Sequence, residues 1–95
     1  MAAYVIVDLR VTDSAGFEEY KKLVPPTIAA FGGKYVARGG RVEMLEGGWN
    51  PERLVILEFA TLERAKEWWA SEAYRLPKQM RQQSATTRMI VVESV

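Results

Sequence analysis

Apolar and polar residues alternate in several short runs of the chain, which is the pattern of β-strands that bury one face. The first run, residues 3–11, directs four apolar side chains to one side: Val5, Val7, Leu9 and Val11. Further strand-like runs cover residues 34–38, 41–47, 53–60 and 87–94. Because Gly39-Gly40 separates the runs at 34–38 and 41–47, this pair predicts a tight β-hairpin.

A different spacing, with apolar residues every three or four positions, predicts a helix after the first strand. Asp13 or Ser14 can cap it, and its buried stripe consists of Phe17, Tyr20, Val24 and Ile28. Pro25 and Pro26 are expected to kink or break this helix, because proline lacks the backbone N–H and crowds the preceding turn.

A second helix is predicted over residues 62–71 with three residues facing inward: Leu62, Ala65 and Trp69. Ser71 and Pro77 mark a break in it, and a further helical piece extends to about residue 85. When the two runs of the hairpin are counted as one element at the edge of the sheet, the element order is βαββαβ. This order predicts an α+β domain of ferredoxin-like type over residues 1–95. Its four-stranded antiparallel sheet carries the helices on one side, and its second helix is broken.

The face of the sheet away from the helices is also largely apolar in this prediction. We assign Val5, Val7, Leu9 and Val55, Leu57, Phe59 to the helix side. The opposite face then carries Tyr4, Ile6, Asp8, Leu54, Ile56, Glu58, Val36, Arg38, Ile90 and Val92. Such a surface is large for a monomer, so we expect two copies to pack sheet against sheet as a dimeric α/β barrel.

The three charged residues on this expected dimer face, Asp8, Arg38 and Glu58, can be interpreted in two ways. Arg38 can pair with Asp8 or Glu58 and hold the dimer in register, because a buried carboxylate is unfavourable unless it is paired. Alternatively, these side chains line a small cavity between the sheet and the helices, near the open end of the barrel. The sequence favours the first reading, since ion-pair networks are common without catalysis.

Composition narrows the chemistry. The chain has no cysteine and no histidine, which removes thiol nucleophiles, imidazole bases and the usual zinc sites. Thirteen basic and twelve acidic residues give a net charge of +1, so no nucleic-acid partner is expected. No apolar stretch is long enough to predict a membrane span or signal peptide. We expect a cytoplasmic protein without a cofactor or metal.

A set of residues spread over nearly the whole chain resembles a family of short bacterial proteins of unknown function in the dimeric α/β-barrel superfamily. The residues are Arg38-Gly39-Gly40, Glu43, Leu45-Glu46-Gly47, Arg53, Glu58-Phe59, Ala65, Trp68-Trp69, Ser71, Tyr74, Arg81, Ala85 and Val92-Glu93. The chain departs from the family pattern at Glu72-Ala73, where Pro-Glu is common, and at Ser94, where glycine is frequent.

The resemblance implies the fold and the dimer, but no particular reaction. The superfamily includes cofactor-free monooxygenases, muconolactone-type isomerases, haem-dependent peroxidases and ligand-sensing modules, and a shared fold does not choose among them. The absence of histidine speaks against the haem branch.

The residues with useful chemistry give two hypotheses. In the first, each subunit of a homodimer binds a small organic acid or aromatic in one pocket lined by Tyr4, Asp8, Arg38, Glu58, Trp69 and Tyr74. Arg38 clamps the anion, and Asp8 or Glu58 serves as general base for proton transfer or oxygenation if burial raises its pKa. Tyr20 and Arg81 are secondary candidates. In the second hypothesis, the protein is a non-catalytic structural or interaction module with a filled barrel.

Overall fold

The computed structural model describes residues 1–95 as one four-stranded sheet with three helices. The strands are β1 (Ala3–Val11), β2 (Lys34–Arg38), β3 (Arg53–Phe59) and β4 (Ala85–Glu93). The helices are α1 (Ser14–Ala30), α2 (Leu62–Trp69) and α3 (Glu72–Ser84). The sheet order is β2-β3-β1-β4 and every pairing is antiparallel, so the predicted α+β ferredoxin-like class is confirmed. None of the helices is both long and apolar enough to cross a membrane.

Alternation along the strands decides which residues form the core. The helix side of β1 and β3 is buried as predicted, and the buried stripe of α1 packs on it together with Ala65, Trp68 and Tyr74 from the other helices. The buried member of the tryptophan pair is Trp68, whereas Trp69 is 46% exposed. The prediction that Trp69 faces inward was therefore wrong, because adjacent helix residues point about 100° apart and Trp68 takes the core position.

The predicted hairpin between residues 34–38 and 41–47 does not form. The strand β2 pairs directly with β3, and residues 41–47 contain no strand. Leu45 is 97% exposed in this loop. The run at 41–47 has one β-branched residue, Val42, whereas β3 offers a nearly continuous apolar segment, so β3 is the better partner for β2.

Helix α1 continues through its two prolines, so the expected break is absent. Asp13 caps the helix, and its side chain accepts a hydrogen bond from the Gly16 N–H at 3.2 Å.

The predicted break in the second helix is confirmed and lies between α2 and α3. There Ser71 caps α3 by accepting from the Tyr74 N–H, and its hydroxyl donates to the Trp68 carbonyl at 2.7 Å.

Gly33 provides a test of the packing between α1 and the sheet. A Cβ at this position would lie 2.5 Å from Phe59 Cε1 and 2.8 Å from Ile28 Cγ2. We expect Gly33→Ala to lower the free energy of unfolding by about 1–3 kcal/mol, as overpacking does elsewhere. Gly40→Ala is the matched control, since nothing lies within 4 Å of its Cβ; it should be neutral or stabilise by up to about 1 kcal/mol. Equal urea midpoints for the two variants would contradict the packing described.

Candidate functional site

A small cavity lies between α1, the sheet and the segment around α2 and α3. We call it the inner cavity. Its volume is about 30 Å³, which is room for a water molecule. Its lining is mostly apolar, and the lining residues that carry a polar or charged group are Tyr20, Lys21, Tyr35, Arg38, Arg53, Trp68 and Tyr74. The cavity therefore combines an apolar, aromatic interior with hydroxyl and guanidinium groups.

Arg38 reaches this cavity because of a β-bulge in β2. Tyr35 pairs with Leu57 and Ala37 pairs with Ile56, so the strand contains one extra residue between them. The extra residue reverses the alternation, and Arg38 comes to lie opposite the buried Val55 on the helix side. The prediction of Arg38 on the dimer face was therefore wrong, because simple alternation does not include a bulge.

A proline in α1 gives Arg38 its hydrogen-bond acceptor. In a regular helix, the carbonyl of Lys21 would accept from the N–H of residue 25, but Pro25 has none. Arg38 Nη2 donates to this carbonyl at 3.3 Å. The Arg38 guanidinium carbon also lies 4.5 Å from the centre of the Tyr35 ring. The side chain thus lies at the exposed mouth of the inner cavity, held by one hydrogen bond and one cation–π contact.

Arg53 is the second guanidinium at the inner cavity. It lies over the Phe17 ring at 5.4 Å, and its Nε is buried without a hydrogen-bond partner. Gly39 makes room for it, because a Cβ there would collide with Arg53 Nη1 and the residue has φ of 66°. The ion pairs of the chain include neither Arg53 nor Arg38. Two guanidinium groups therefore border the cavity without an ion pair, whereas the third cation of the lining, Lys21, pairs with Glu18 at 3.0 Å.

Two buried hydroxyls form the polar end of the cavity. The Tyr20 and Tyr74 oxygens are 3.0 Å apart, and Arg81 Nε donates to the Tyr74 oxygen at 3.2 Å. The Tyr74 ring stacks on Trp68 with centroids 4.2 Å apart. Since one hydroxyl proton is enough for the bond between the tyrosines, the other O–H remains available to a bound molecule.

Burial keeps Tyr20 and Tyr35 neutral. Burial raises the pKa of Tyr20 far above the ordinary tyrosine value, and the adjacent Tyr74 adds to the rise. Burial also raises the pKa of Tyr35, against the opposing effect of the Arg38 and Arg53 guanidinium groups. At neutral pH the cavity therefore presents hydrogen-bond donors and cations, which suits an anionic or oxygen-bearing ligand.

The residues predicted to share one pocket are divided by the sheet. Arg38 and Tyr74 line the inner cavity. Tyr4, Asp8 and Glu58 lie on the opposite face, where Tyr4 pairs with Glu58 in register and Asp8 pairs with Leu54. Trp69 lies outside the cavity, with Lys78 Nζ 3.7 Å from the centre of its ring. The six side chains thus do not form a single pocket, because period-two alternation sends Tyr4, Asp8 and Glu58 away from the helices.

Asp8 has partners other than the one expected. Arg88 Nη2 donates to its Oδ2 at 2.7 Å, and the indole N–H of Trp49 donates to the same oxygen at 2.9 Å. The predicted pair with Arg38 is absent, because the bulge places Arg38 on the other side of the sheet. The hydrogen bonds from Trp49 and then Arg88 hold the pKa of Asp8 below its ordinary value. This direction is opposite to the one a general base near neutral pH needs.

The functional residues that sequence reasoning missed are Arg53, Tyr35 and Trp49. Arg53 and Tyr35 lie in predicted strands, so their alternation could have placed them on the helix side beside Leu57 and Val55. Trp49 lies in a loop, and no pattern in the sequence connects it with Asp8. No group of three or more His, Cys, Asp or Glu side chains is close enough to hold a metal ion.

One family matches the chain along residues 2–95 and is described as a domain of unknown function (DUF1330). The chain belongs to this family. The family thus agrees with the resemblance noted in the sequence, and its description assigns no reaction. No curated protein matches the chain.

Solved structures support the fold of this family member. RPA0582, a protein of unknown function from Rhodopseudomonas palustris, is 19% identical with a TM-score of 0.78, over 99% of this chain and 82% of that one. SnoaB, a cofactor-independent oxygenase from Streptomyces nogalater, is 10% identical with a TM-score of 0.69, and the match covers 99% of this chain and 93% of SnoaB. A dimeric protein of unknown function and ferredoxin-like fold from Bacteroides fragilis is 13% identical with a TM-score of 0.61, and the match covers 98% of this chain and 96% of that one. At these identities, the likeness shows the fold alone.

The contacts of Asp8 predict its titration. Because the folded pKa is lowered, ionised Asp8 stabilises the fold above the unfolded pKa of about 4, and this stabilisation is lost as the pH falls through the folded value. We expect Asp8→Asn to be less stable than the parent at pH 7 and the difference to shrink below about pH 4. Carboxyl ¹³C NMR should show Asp8 titrating below the ordinary aspartate value, and Trp49→Phe should raise its pKa. Titration of Asp8 above that value would contradict the assignment.

Proposed function

We propose that the inner cavity binds a small organic acid or an oxygen-bearing aromatic molecule. The observation that carries this proposal is the pair of arginines, Arg38 and Arg53, at a tyrosine-lined cavity that has no carboxylate among its lining residues, and neither arginine forms an ion pair. A guanidinium group binds a carboxylate or phenolate through its planar fork of N–H donors. The ring of Trp68 and the core around it would accommodate the apolar body of the ligand.

The cavity must widen to admit such a molecule, and its mouth is built to allow this. Its volume of about 30 Å³ is far below the 300–1,000 Å³ typical of small-molecule sites. Arg38, which crosses the mouth, is exposed and makes one long hydrogen bond to a carbonyl. Its displacement toward the carboxylate of a ligand would replace that contact with a charge-assisted one and open the cavity.

The proposed reaction is a cofactor-independent proton transfer, in which the proton passes from the substrate to water, or an oxygenation in which dioxygen oxidises the substrate. Either reaction develops negative charge on an oxygen of the substrate. The unshared hydroxyl proton of the Tyr20–Tyr74 pair and the two guanidinium groups would stabilise this charge in an apolar site. Oxygenation is compatible with this fold, since SnoaB, which shares it, is described as a cofactor-independent oxygenase.

Asp8 and Glu58 remain predicted general bases, but neither can act on a ligand in the inner cavity. The sheet separates both side chains from the inner cavity. If either moves a proton, it does so at the seam between two subunits. The low pKa of Asp8 makes it a poor acceptor near neutral pH.

We also propose that the chain is a homodimer through the sheet face opposite the helices. Ile90 is 62% and Val92 is 46% exposed on this face, and Ile6, Ile56 and Tyr4 beside them are only partly buried. A second copy would cover this apolar surface and complete a barrel. The structural likeness to a protein described as dimeric is consistent with this arrangement.

A non-catalytic interaction module is the second candidate, favoured by the small volume of the inner cavity. In that case the core is simply filled, and the arginines at its mouth bind no ligand. The two candidates differ in whether an aromatic acid binds at Arg38 and Arg53.

Ligand binding can be tested with salicylate by isothermal titration calorimetry. We expect Arg38→Gln and Arg53→Gln each to weaken binding about tenfold or more, because a hydrogen-bonded charge contributes about 1.5–3 kcal/mol. Arg41→Gln is the control, since Arg41 lies in the loop after β2 and pairs with Glu43. If salicylate and phenol do not bind the parent protein, or if all three variants bind equally, the ligand-binding proposal is wrong and the interaction module is favoured.

The dimer can be tested by sedimentation velocity at micromolar concentration. Ile90→Lys should convert the protein to monomers, because it introduces a charge into the apolar surface of the proposed seam. Leu76→Lys should remain dimeric, since Leu76 is exposed on α3, on the helix side of the sheet. A parent protein that sediments as a monomer would rule out the dimer.

A further inference from the structure

A second, larger space lies on the other side of Trp68 and Met89. It is a groove between α2, α3 and the edge strand β4, with a volume of about 530 Å³. We call it the β4 groove. Its polar or charged lining residues are Lys66, Arg81, Gln82 and Thr87. Trp68 and Met89 border both this groove and the inner cavity, so they form the wall between the two spaces.

Arg81 in this groove is a buried cation without an anion. The residue is 4% exposed, and its one hydrogen bond is the donation from Nε to the Tyr74 oxygen. It forms no ion pair within the chain. The C-terminal end of α3 supplies about half a negative charge nearby. Because a buried charge is normally paired, the remaining positive charge indicates a missing anionic partner.

Thr87 is a second unsatisfied group in the same groove. Its Oγ1 is buried and has no hydrogen-bond partner. Buried hydroxyls are nearly always bonded, so an unsatisfied one that lines a groove marks a place for an acceptor or donor from outside the chain. Thr87 and Arg81 come from different elements, β4 and α3, and the two observations are independent of each other.

The remaining lining limits the chemistry of the occupant. Lys66 and Arg81 are the charged residues of the groove and both are cations. The other contacts are mainly apolar, including Trp69, Val91 and Ile90. A volume of about 530 Å³ falls within the range of small-molecule sites. These features fit a molecule with one anionic head and an apolar body.

We propose that the β4 groove binds an apolar monocarboxylate, with the carboxylate at Arg81 and Thr87 and the hydrocarbon part against Trp69 and β4. Lys66 stands at the rim and attracts the anion. The Nη atoms of Arg81 serve the ligand while Nε keeps its bond to Tyr74, so binding leaves the polar contacts of the inner cavity in place. This site is separate from the one under Proposed function and goes beyond it.

Octanoate and octan-1-ol are suitable probes, since they share a chain and differ in the charged head. The full-length protein is titrated with each, and binding is followed by the shift of the Trp69 indole resonance in ¹H–¹⁵N NMR. We expect octanoate to bind at least tenfold more tightly than octan-1-ol. Equal affinities, or no binding of octanoate, would overturn the proposal.

Thr87→Val is the decisive variant. It keeps the shape of the side chain and removes a hydroxyl that has no partner in the chain, so the melting temperature should not fall. We expect it to weaken octanoate binding about three- to tenfold. Lys66→Gln should weaken octanoate binding and reduce its dependence on salt. Lys34→Gln, on the opposite edge strand β2, is the control. It should change neither the affinity for octanoate nor the dependence of this affinity on salt.

Arg81→Gln should abolish the preference for octanoate over octan-1-ol, but this variant also removes the support of Tyr74 and is interpreted only if it folds. Thr87→Val and Lys66→Gln keep the test independent of it. If Arg38→Gln removes octanoate binding while Thr87→Val and Lys66→Gln do not, octanoate occupies the inner cavity and the β4-groove proposal is wrong. If salicylate fails to bind at Arg38 while octanoate responds to Thr87→Val, the proposed function fails and the groove remains.

Discussion

The structure depends on one constraint, which is that all three helices cover the same face of a four-stranded sheet. Each strand residue therefore faces either the helices or the opposite side, and its parity decides its role. Residues such as Val7 and Leu57 form the core, whereas Ile6 and Ile56 face the opposite side and are only partly buried. The β-bulge in β2 is the single interruption of this rule, and it moves Arg38 from the expected dimer face to the inner cavity.

The helix side gathers positive charge without acidic partners. Arg38, Arg53 and Arg81 all lie on this side, and none takes part in an ion pair within the chain. The ion pairs are instead on the surface or, as with Asp8 and Arg88, on the opposite face. Since buried cations are normally compensated, the arrangement of these arginines around two spaces that share Trp68 as a wall supports the proposal that both spaces bind anions.

Much of the fold follows from the sequence, because period-two and helical spacings report directly on burial. The strands, the capped helices and the core faces of β1 and β3 could be predicted in this way. The bulge could not, because one inserted residue leaves no mark in an alternating run as short as Lys34–Arg38. The choice between Trp68 and Trp69 depends on the phase of α2, which a short helix fixes poorly. The bond from Trp49 to Asp8 joins residues 41 positions apart and has no local signal.

The claim that Arg38 and Arg53 form an anion site on the helix side is tested most directly by a crystal structure of the protein with bound salicylate. The account predicts the carboxylate between these two guanidinium groups, the ring directed toward Trp68, and Arg38 released from the carbonyl of Lys21. Salicylate bound on the opposite face, beside Arg88 and Asp8, with Arg38 still on the Lys21 carbonyl, would contradict it.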